Sequence, residues 1–349
     1  MVNQRVPHNH ALQAAIALGN RLRLPVVCYH ALRPDYPHAS DRLHAFVLQG
    51  LDELGTAMHA RGVPYWLELP RNTRQHVPRL AALGKRAAAV VSDWFPAFII
   101  PGHLRGAARR LEVPLVAVDA SCVVPMQRIP ERQVGAYTLR PKLQKLWPEF
   151  LGKLPRGQDP ANARTAERID PGFAPEKAPG RLLRALGGFD IDHSVAPVKD
   201  RPGGRAAALR SLRTFVREHV ARFDEARNDP GQRGQSGISP ALHLRMLWGK
   251  KILEWSPSPE QALQRMAHLN DRYALDGRDA VSVANFMWVL GLHDRPFQER
   301  PVLGKVRPMS SLRTAEKVDL EPYLARYGGP DAAAMRLPRR RKPRRSEGA

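Results

Sequence analysis

The chain has 349 residues, of which 43% are hydrophobic and 25% charged, the composition of a folded protein of about two domains. Cys28 and Cys122 are too few for a disulfide framework and make no metal-ligand spacing, and no apolar run reaches the roughly 18 residues of a membrane span. Membrane proteins, secreted disulfide scaffolds and zinc-cluster modules are therefore disfavoured. Fifty-five basic residues against 33 acidic ones leave a net charge of +22, which favours a phosphate polymer such as nucleic acid as partner.

The first part of the chain alternates strand-like and helix-like segments. Short apolar runs predict strands at residues 24–29, 63–69, 88–92 and 113–118. Longer periodic stretches predict helices at residues 10–22, 42–61, 74–84 and 101–111. This alternation is typical of a parallel sheet covered by helices, so residues 1–150 are predicted to form an α/β domain with a Rossmann-like sheet. No Gly-rich dinucleotide fingerprint follows any of these strands, so an ordinary NAD site is not indicated.

The pattern changes after residue 150. Residues 151–204 are rich in proline and glycine, which predicts a connector. Helical patterns follow at residues 206–222, 241–255, 259–273 and 281–291, so an all-α domain is predicted for residues 205–330. Residues 331–349 carry a run of arginines without apolar periodicity and are predicted to be a disordered basic tail.

Two tryptophans stand in one of the predicted helices. Trp248 and Trp255 are seven residues apart, which places them on nearly the same side of a helix, about 10 Å apart along its axis. Aromatic rings at this spacing can relay electrons, but an apolar stripe of this kind is also typical of a core. The pattern alone leaves both interpretations open.

A polar segment, residues 269–279 (LNDRYALDGRD), separates two predicted helices. It surrounds Gly277 with several charged groups and the amide of Asn270. A solvated loop is one interpretation, since aspartates such as Asp279 favour the start of a following helix. A cofactor-binding turn is the other.

Several segments together resemble the class II cyclobutane-pyrimidine-dimer photolyases. The matching segments are 3–6 (NQRV) with Asn9, 92–96 (SDWFP), 118–120 (VDA), 137–142 (YTLRPK), 227–230 (RNDP), 234–243 (GQSGISPALH) and, most closely, 245–310. The resemblance covers most of the chain outside the connector and the tail.

The resemblance implies a fold and a reaction. The fold would be an α/β antenna-type domain followed by an all-α domain that encloses FAD, and a second, antenna chromophore could accompany the flavin. In the implied reaction, reduced FAD absorbs light and passes one electron to a pyrimidine dimer, whose cyclobutane ring then splits. The lesion must leave the base stack to be reached. The implied partner is UV-damaged DNA and no membrane, and the protein is expected to be a monomer in the cytoplasm, associated with the nucleoid.

The resemblance also assigns roles to individual residues. Asn270 would face the flavin N5, with Trp248 and Trp255 in an electron relay. The lesion side would be lined by Arg245, Met246 and Trp288. The residues expected to bind the cofactor are Ser236, Ile238, Ser239, Arg245, Asn270, Asp276 and Asp279. No metal is expected.

The chain departs from the family pattern in three places. A long helical block is absent after Leu244, and the chain starts where the family's first strand ends, so the sheet is expected to lack a member. Residues 280–283 (AVSV) and Pro308 replace P-N-G-Y and Tyr. These departures keep a second interpretation open, namely a degenerate homologue that binds DNA but lacks flavin and catalysis. A flavin-dependent photoreceptor is a weaker third interpretation.

Overall fold

The computed structural model describes residues 3–69, 78–152, 157–177, 186–197, 204–223, 245–300 and 304–308, with residues 321 and 325. The chain forms two compact units. Unit 1 contains residues 1–198 and 270–283, and unit 2 contains residues 199–269 and 284–349. The polar segment around Gly277 therefore belongs mostly to unit 1, although it is separated from residues 1–198 by 71 residues of unit 2. The predicted domain boundaries at residues 150, 204 and 330 remain predictions.

Unit 1 alternates helices and strands as the sequence predicts. Its strands are β1 (Cys28–Ala31), β2 (Tyr65–Glu68), β3 (Val90–Trp94) and β4 (Leu115–Asp119). Its helices are α1 (His10–Leu22), α2 (Asp41–Ala60), α3 (Pro78–Gly84), α4 (Ile100–Ala108), α5 (Ala136–Phe150) and α6 (Ala163–Glu167). A short 3-10 helix covers Met126–Arg128. The α/β prediction is confirmed at this level.

The strands form two parallel pairs rather than one sheet. In the first pair Cys28 lies opposite Tyr65, and in the second Val90 lies opposite Leu115. Within the described residues no ladder joins β1–β2 to β3–β4. The prediction of parallel pairing is thus confirmed, but the described residues do not confirm the expectation of one Rossmann-like sheet. To form one continuous sheet, the edge of β1 that faces away from β2 and the edge of β3 that faces away from β4 would need a pairing partner. No described strand provides it.

The core of unit 1 is built by the apolar faces of α1 and α2 around β1 and β2. Asn9 caps α1 by accepting a hydrogen bond from the Leu12 backbone N–H, which fixes where the helix begins. The fully buried side chains of this cluster are Ile16, Leu48, Leu51, Met58, Val63, Leu67 and Leu186. Burial of a side chain of this size stabilises the fold by roughly 1.5–3 kcal/mol.

Two differences between predicted and observed elements involve prolines. The strand predicted at 24–29 is observed at Cys28–Ala31, and Pro25, which has no N–H to give to a ladder, lies outside it. Helix α5 was not predicted at all, since Pro141 and Pro148 interrupt its sequence. The helix forms nevertheless, and two backbone hydrogen bonds are forgone at those prolines.

Unit 2 is helical in the part described. Its elements are α7 (Gly204–Glu218), a 3-10 helix (Val220–Arg222), α8 (Arg245–Trp255), α9 (Pro259–Tyr273) and α10 (Ala280–Val289), the last two crossing the unit boundary. Gly249 lets α8 approach α10 closely, because a Cβ at that position would lie 2.7 Å from a methyl carbon of Val289. Leu253, Ala262, Met266 and Val289 form the core around this contact.

A lysine is buried beside this core. The Lys250 ammonium donates a hydrogen bond of 2.6 Å to the Val289 carbonyl at the end of α10, and the residue is 2% exposed. Burial lowers the pKa of Lys250 from 10.5 to about 8, partly offset by Asp294. The charged form is therefore less favoured in the folded chain than in the unfolded one.

The stability of the chain should consequently depend on Lys250 in alkaline solution. Because the folded-state pKa is depressed, the unfolded chain binds more protons between pH 8 and 10.5, and the contribution of Lys250 rises over this interval. We expect the free energy of unfolding of the wild type to increase relative to that of Lys250→Met by up to about 3 kcal/mol. Urea unfolding of both proteins across this pH range measures the difference. A difference that does not vary with pH would contradict the prediction.

Candidate functional site

The polar turn between α9 and α10 is closed by the side chain of Asn270. Its Nδ2 donates to the Gly277 carbonyl and, at 3.2 Å, to Asp271 Oδ1. The Asn270 carbonyl also accepts from the Ala274 backbone N–H at 2.9 Å. Both hydrogens of the carboxamide nitrogen are thus used inside the turn, and one side chain fixes its two ends.

Glycine is required at the point where this turn closes. A Cβ on Gly277 would lie 2.3 Å from the Asn270 carbonyl oxygen and 2.8 Å from its Nδ2. Because the shorter of these contacts is with a backbone atom, movement of a side chain could not relieve the clash. The sequence pattern singled out Gly277 as the one glycine of this polar segment, and the structure gives the reason for a glycine there.

The two aspartates expected at the cofactor both lie in this turn. Asp279 Oδ1 accepts a 2.7 Å hydrogen bond from the Ser282 backbone N–H at the start of α10, so this side chain caps the helix. Asp276 is half-buried. The structure therefore brings together Asn270, Asp276 and Asp279, and it bears out the capping role of Asp279.

The chemistry of the turn is compatible with a reduced flavin. Since both Nδ2 hydrogens of Asn270 have acceptors, the remaining polar atom of the carboxamide is the Oδ1 acceptor. No described residue donates a hydrogen bond to this oxygen. The N5–H of a reduced flavin is a donor of the kind that such an oxygen accepts. Residues Ser236, Ile238 and Ser239, expected on the pyrophosphate side, lie outside the described residues.

The three tryptophans belong to unit 2 and are not part of its core. Trp248, Trp255 and Trp288 are 44%, 63% and 43% exposed. The spacing of Trp248 and Trp255 left an electron relay and a core stripe open, and their exposure disfavours the core stripe. Arg245 and Met246 begin α8, but their side chains lie outside what the structure describes.

Segments that match the family near the start of the chain meet at the carboxyl ends of β3 and β4. Buried Asp93 accepts hydrogen bonds from the backbone N–H of Asn3 at 3.3 Å and from its Nδ2 at 3.4 Å. Asp119 accepts from the backbone N–H groups of Ser121, Cys122 and Met126. These motifs thus explain how the strand ends are fixed.

Arginines that the sequence pattern did not single out hold the polar turn in unit 1. The Arg272 Nε lies 2.9 Å from a carboxylate oxygen of Asp192, and its Nη2 donates to Ser194 Oγ at 3.0 Å. Arg42 donates to the Tyr273 carbonyl at 3.2 Å. The arginines were visible in the sequence, but nothing in it paired them with residues so distant along the chain.

Comparisons with known proteins find similarity to DNA photolyases. A family model described as DNA photolyase matches residues 2–161. A deoxyribodipyrimidine photo-lyase of Methanothermobacter thermautotrophicus is 26% identical over 426 positions, covering 92% of this chain and 92% of that protein. One of Oryza sativa subsp. japonica is 46% identical over 83 positions, which are 24% of this chain and 16% of that protein. The chain is therefore similar to DNA photolyases, which supports the sequence prediction at the level of that family.

A solved structure was also matched. The crystal structure of an archaeal photolyase from Sulfolobus tokodaii with two FAD molecules overlaps at a TM-score of 0.39 and 13% identity. The overlap covers 78% of this chain and 58% of that chain.

Among the described residues of the present chain, no helix has both the length and the apolar character needed to cross a membrane.

The alignment with the Methanothermobacter protein has more positions than the number of residues of this chain that it includes. Since 92% of 349 residues is about 321, about 105 of the 426 aligned positions have no counterpart here. An absent internal segment was expected from the sequence. Its position after Leu244 lies outside the described residues and stays a prediction.

Substitution of Gly277 tests the closure of the turn. In Gly277→Ala the new methyl group would meet the Asn270 carbonyl, and we expect a loss of about 1–3 kcal/mol in the free energy of unfolding. Gly102→Ala is the matched control, since nothing lies within 4 Å of a Cβ there. Because Gly102 is inside helix α4, the control should gain up to about 1 kcal/mol. Equal urea midpoints for the two variants would contradict this account.

Proposed function

We propose that the chain is a class II photolyase homologue that repairs cyclobutane pyrimidine dimers in DNA, using light absorbed by bound FAD. The match of residues 2–161 to the DNA photolyase model and the names of the relatives support the family. The resemblance of residues 245–310 supports the class. The observation that carries the proposal is the closed turn, in which Asn270 keeps a free acceptor oxygen.

The proposed role of the chain is to place and surround the cofactor, because in cofactor enzymes the protein supplies orientation and electrostatics. When bound, reduced FAD would supply the excited electron. Asn270 Oδ1 would accept the N5–H, while Asp276 and Asp279 would shape the same wall. Ser236, Ile238, Ser239 and Arg245 are the further proposed cofactor contacts.

The remaining proposed roles concern electrons and the lesion. The exposure of Trp248 and Trp255 suits residues that pass electrons from a protein surface. Trp288, with Arg245 and Met246, would contact the flipped dimer. An aromatic side chain can stack on a base without reading its sequence, at about 1–3 kcal/mol per base.

A second candidate function is DNA binding without flavin or repair. The observation that favours it is the missing counterpart of about 105 aligned positions, since a cofactor pocket needs walls that enclose most of its ligand. The net charge of +22 would still attract DNA through its phosphates. Flavin content separates the two candidates.

The first test is the amount of FAD in the purified chain. We expect close to one FAD per chain after denaturation and counting by absorbance, together with light-dependent loss of dimers from a UV-irradiated oligonucleotide. The same sample kept in the dark is the control. Folded protein that holds no FAD and takes none up on reconstitution would overturn the repair proposal and favour the DNA-binding homologue.

A second test separates the role of Asn270 from DNA binding. Asn270→Ala should lose most of the light-dependent repair, because the variant loses both the acceptor oxygen at N5 and the Nδ2 hydrogen bonds that close the turn. Its affinity for undamaged DNA should stay that of the wild type and fall equally with added salt, since that affinity comes from phosphate contacts. Filter binding at several salt concentrations and a repair assay on the same preparations measure both. Unchanged repair by the variant would remove Asn270 from the proposed site.

A further inference from the structure

The turn that carries Asn270 is fastened within unit 1 by the next residue after Gly277. Arg278 Nη2 donates to the carbonyls of Pro37 at 3.2 Å and His38 at 2.8 Å. The carbon at the centre of its guanidinium lies 4.9 Å from the ring centroid of Tyr36 and 5.0 Å from that of Phe98. The Arg278 guanidinium therefore contacts two backbone carbonyls and two aromatic rings. We call Tyr36, Pro37, His38 and Phe98 the arginine receptor.

Arg278 is held without a carboxylate. Among the described residues no acidic group lies within ion-pair distance of it, and its buried Nε has no hydrogen-bond partner. Burial lowers the pKa of Arg278, with partial compensation from Tyr36 and Asp271. A desolvated cation is expensive unless its surroundings replace water. The ring faces and the two carbonyls supply that replacement, and a planar guanidinium suits both kinds of contact.

The receptor is itself braced by neighbouring side chains. Tyr36 stacks on buried His44 with the ring centroids 5.1 Å apart, and Phe98 meets Tyr36 edge-on at 6.0 Å. His38 and Phe98 both have a φ of 58°, a left-handed conformation that non-glycine residues rarely adopt. Such conformations persist only where the surroundings over-determine them. The receptor is therefore a built feature of unit 1.

We propose that Arg278 is a positioning residue that sets the orientation of the Asn270 carboxamide. Gly277 links the two residues, because its carbonyl accepts from Asn270 Nδ2 and its chain neighbour is Arg278. Fixing Arg278 fixes that carbonyl, and the carbonyl decides which way the carboxamide faces. Residues of the α/β unit, Tyr36 and Phe98, thereby control the acceptor oxygen offered to a flavin. The inference rests on the flavin role proposed for Asn270.

Amide hydrogen exchange tests the anchor without any cofactor. In Arg278→Met, amides of residues 270–279 should exchange about tenfold faster, because a cation–π and hydrogen-bond anchor worth about that factor is lost. Arg278→Lys should lie between this variant and the wild type, since it keeps the charge but not the planar group. Arg295→Met is the matched control, because Arg295 lies 5.2 Å from the Phe297 centroid in unit 2. Wild-type exchange of residues 270–279 in Arg278→Met would overturn the anchor.

Flavin binding tests the positioning role. Arg278→Met and Phe98→Leu should each weaken FAD binding about tenfold and alter the visible absorption bands of the bound flavin, and the double variant should do no more than either. Phe98→Leu keeps the arginine and so serves if Arg278→Met fails to fold. Wild-type affinity and spectrum in both variants, with faster exchange of the turn, would overturn the positioning role alone. A wild-type chain that binds no FAD overturns the proposed function, while the exchange experiment still decides the anchor.

Discussion

The contact between Asn270 and Gly277 is the constraint on which the candidate site depends. The carbonyl and the carboxamide of Asn270 approach Gly277 so closely that no Cβ fits between them. This contact closes the turn. Both Nδ2 hydrogens of Asn270 are bonded within it, and Oδ1 is the remaining polar atom of the carboxamide. A local packing requirement thus produces a chemically defined group, and the capping of α10 by Asp279 fixes the other end of the same turn.

The sequence predicted what depends on neighbours along the chain. Helices α1 and α9 have the predicted bounds because apolar periodicity, and for α1 the Asn9 cap, are local signals. Helix α5 was missed because prolines inside a segment are local signals against a helix, and this helix forms despite them. The break between the strand pairs could not be read from periodicity either, since a strand pattern says nothing about which strands are neighbours. Motif resemblance named Asn270, Asp276 and Asp279 as candidates, and it gave no sign of the distant residues that hold the turn.

The positive charge of the chain has two uses that composition does not distinguish. Some arginines form ion pairs inside unit 1. Arg272 pairs with Asp192. Arg79 pairs with Glu68, and its guanidinium lies 4.6 Å from the Phe173 ring centroid. Such side chains join segments far apart in sequence and are not free to meet a phosphate. The net charge therefore overstates the cations available to DNA, and salt dependence measures only the remainder.

The separate strand pairs give unit 1 two regions of unequal protection. β2 is buried almost along its length and lies under α2, whereas β3 and β4 contain mostly half-buried and exposed residues. No ladder among the described residues joins the two pairs, so opening of one pair does not require breaking the hydrogen bonds of the other. Helix α1 belongs to the β1–β2 core and also contacts β3 and β4, so within the described residues opening of the β3–β4 half would break packing against α1 but no hydrogen bond of the β1–β2 pair.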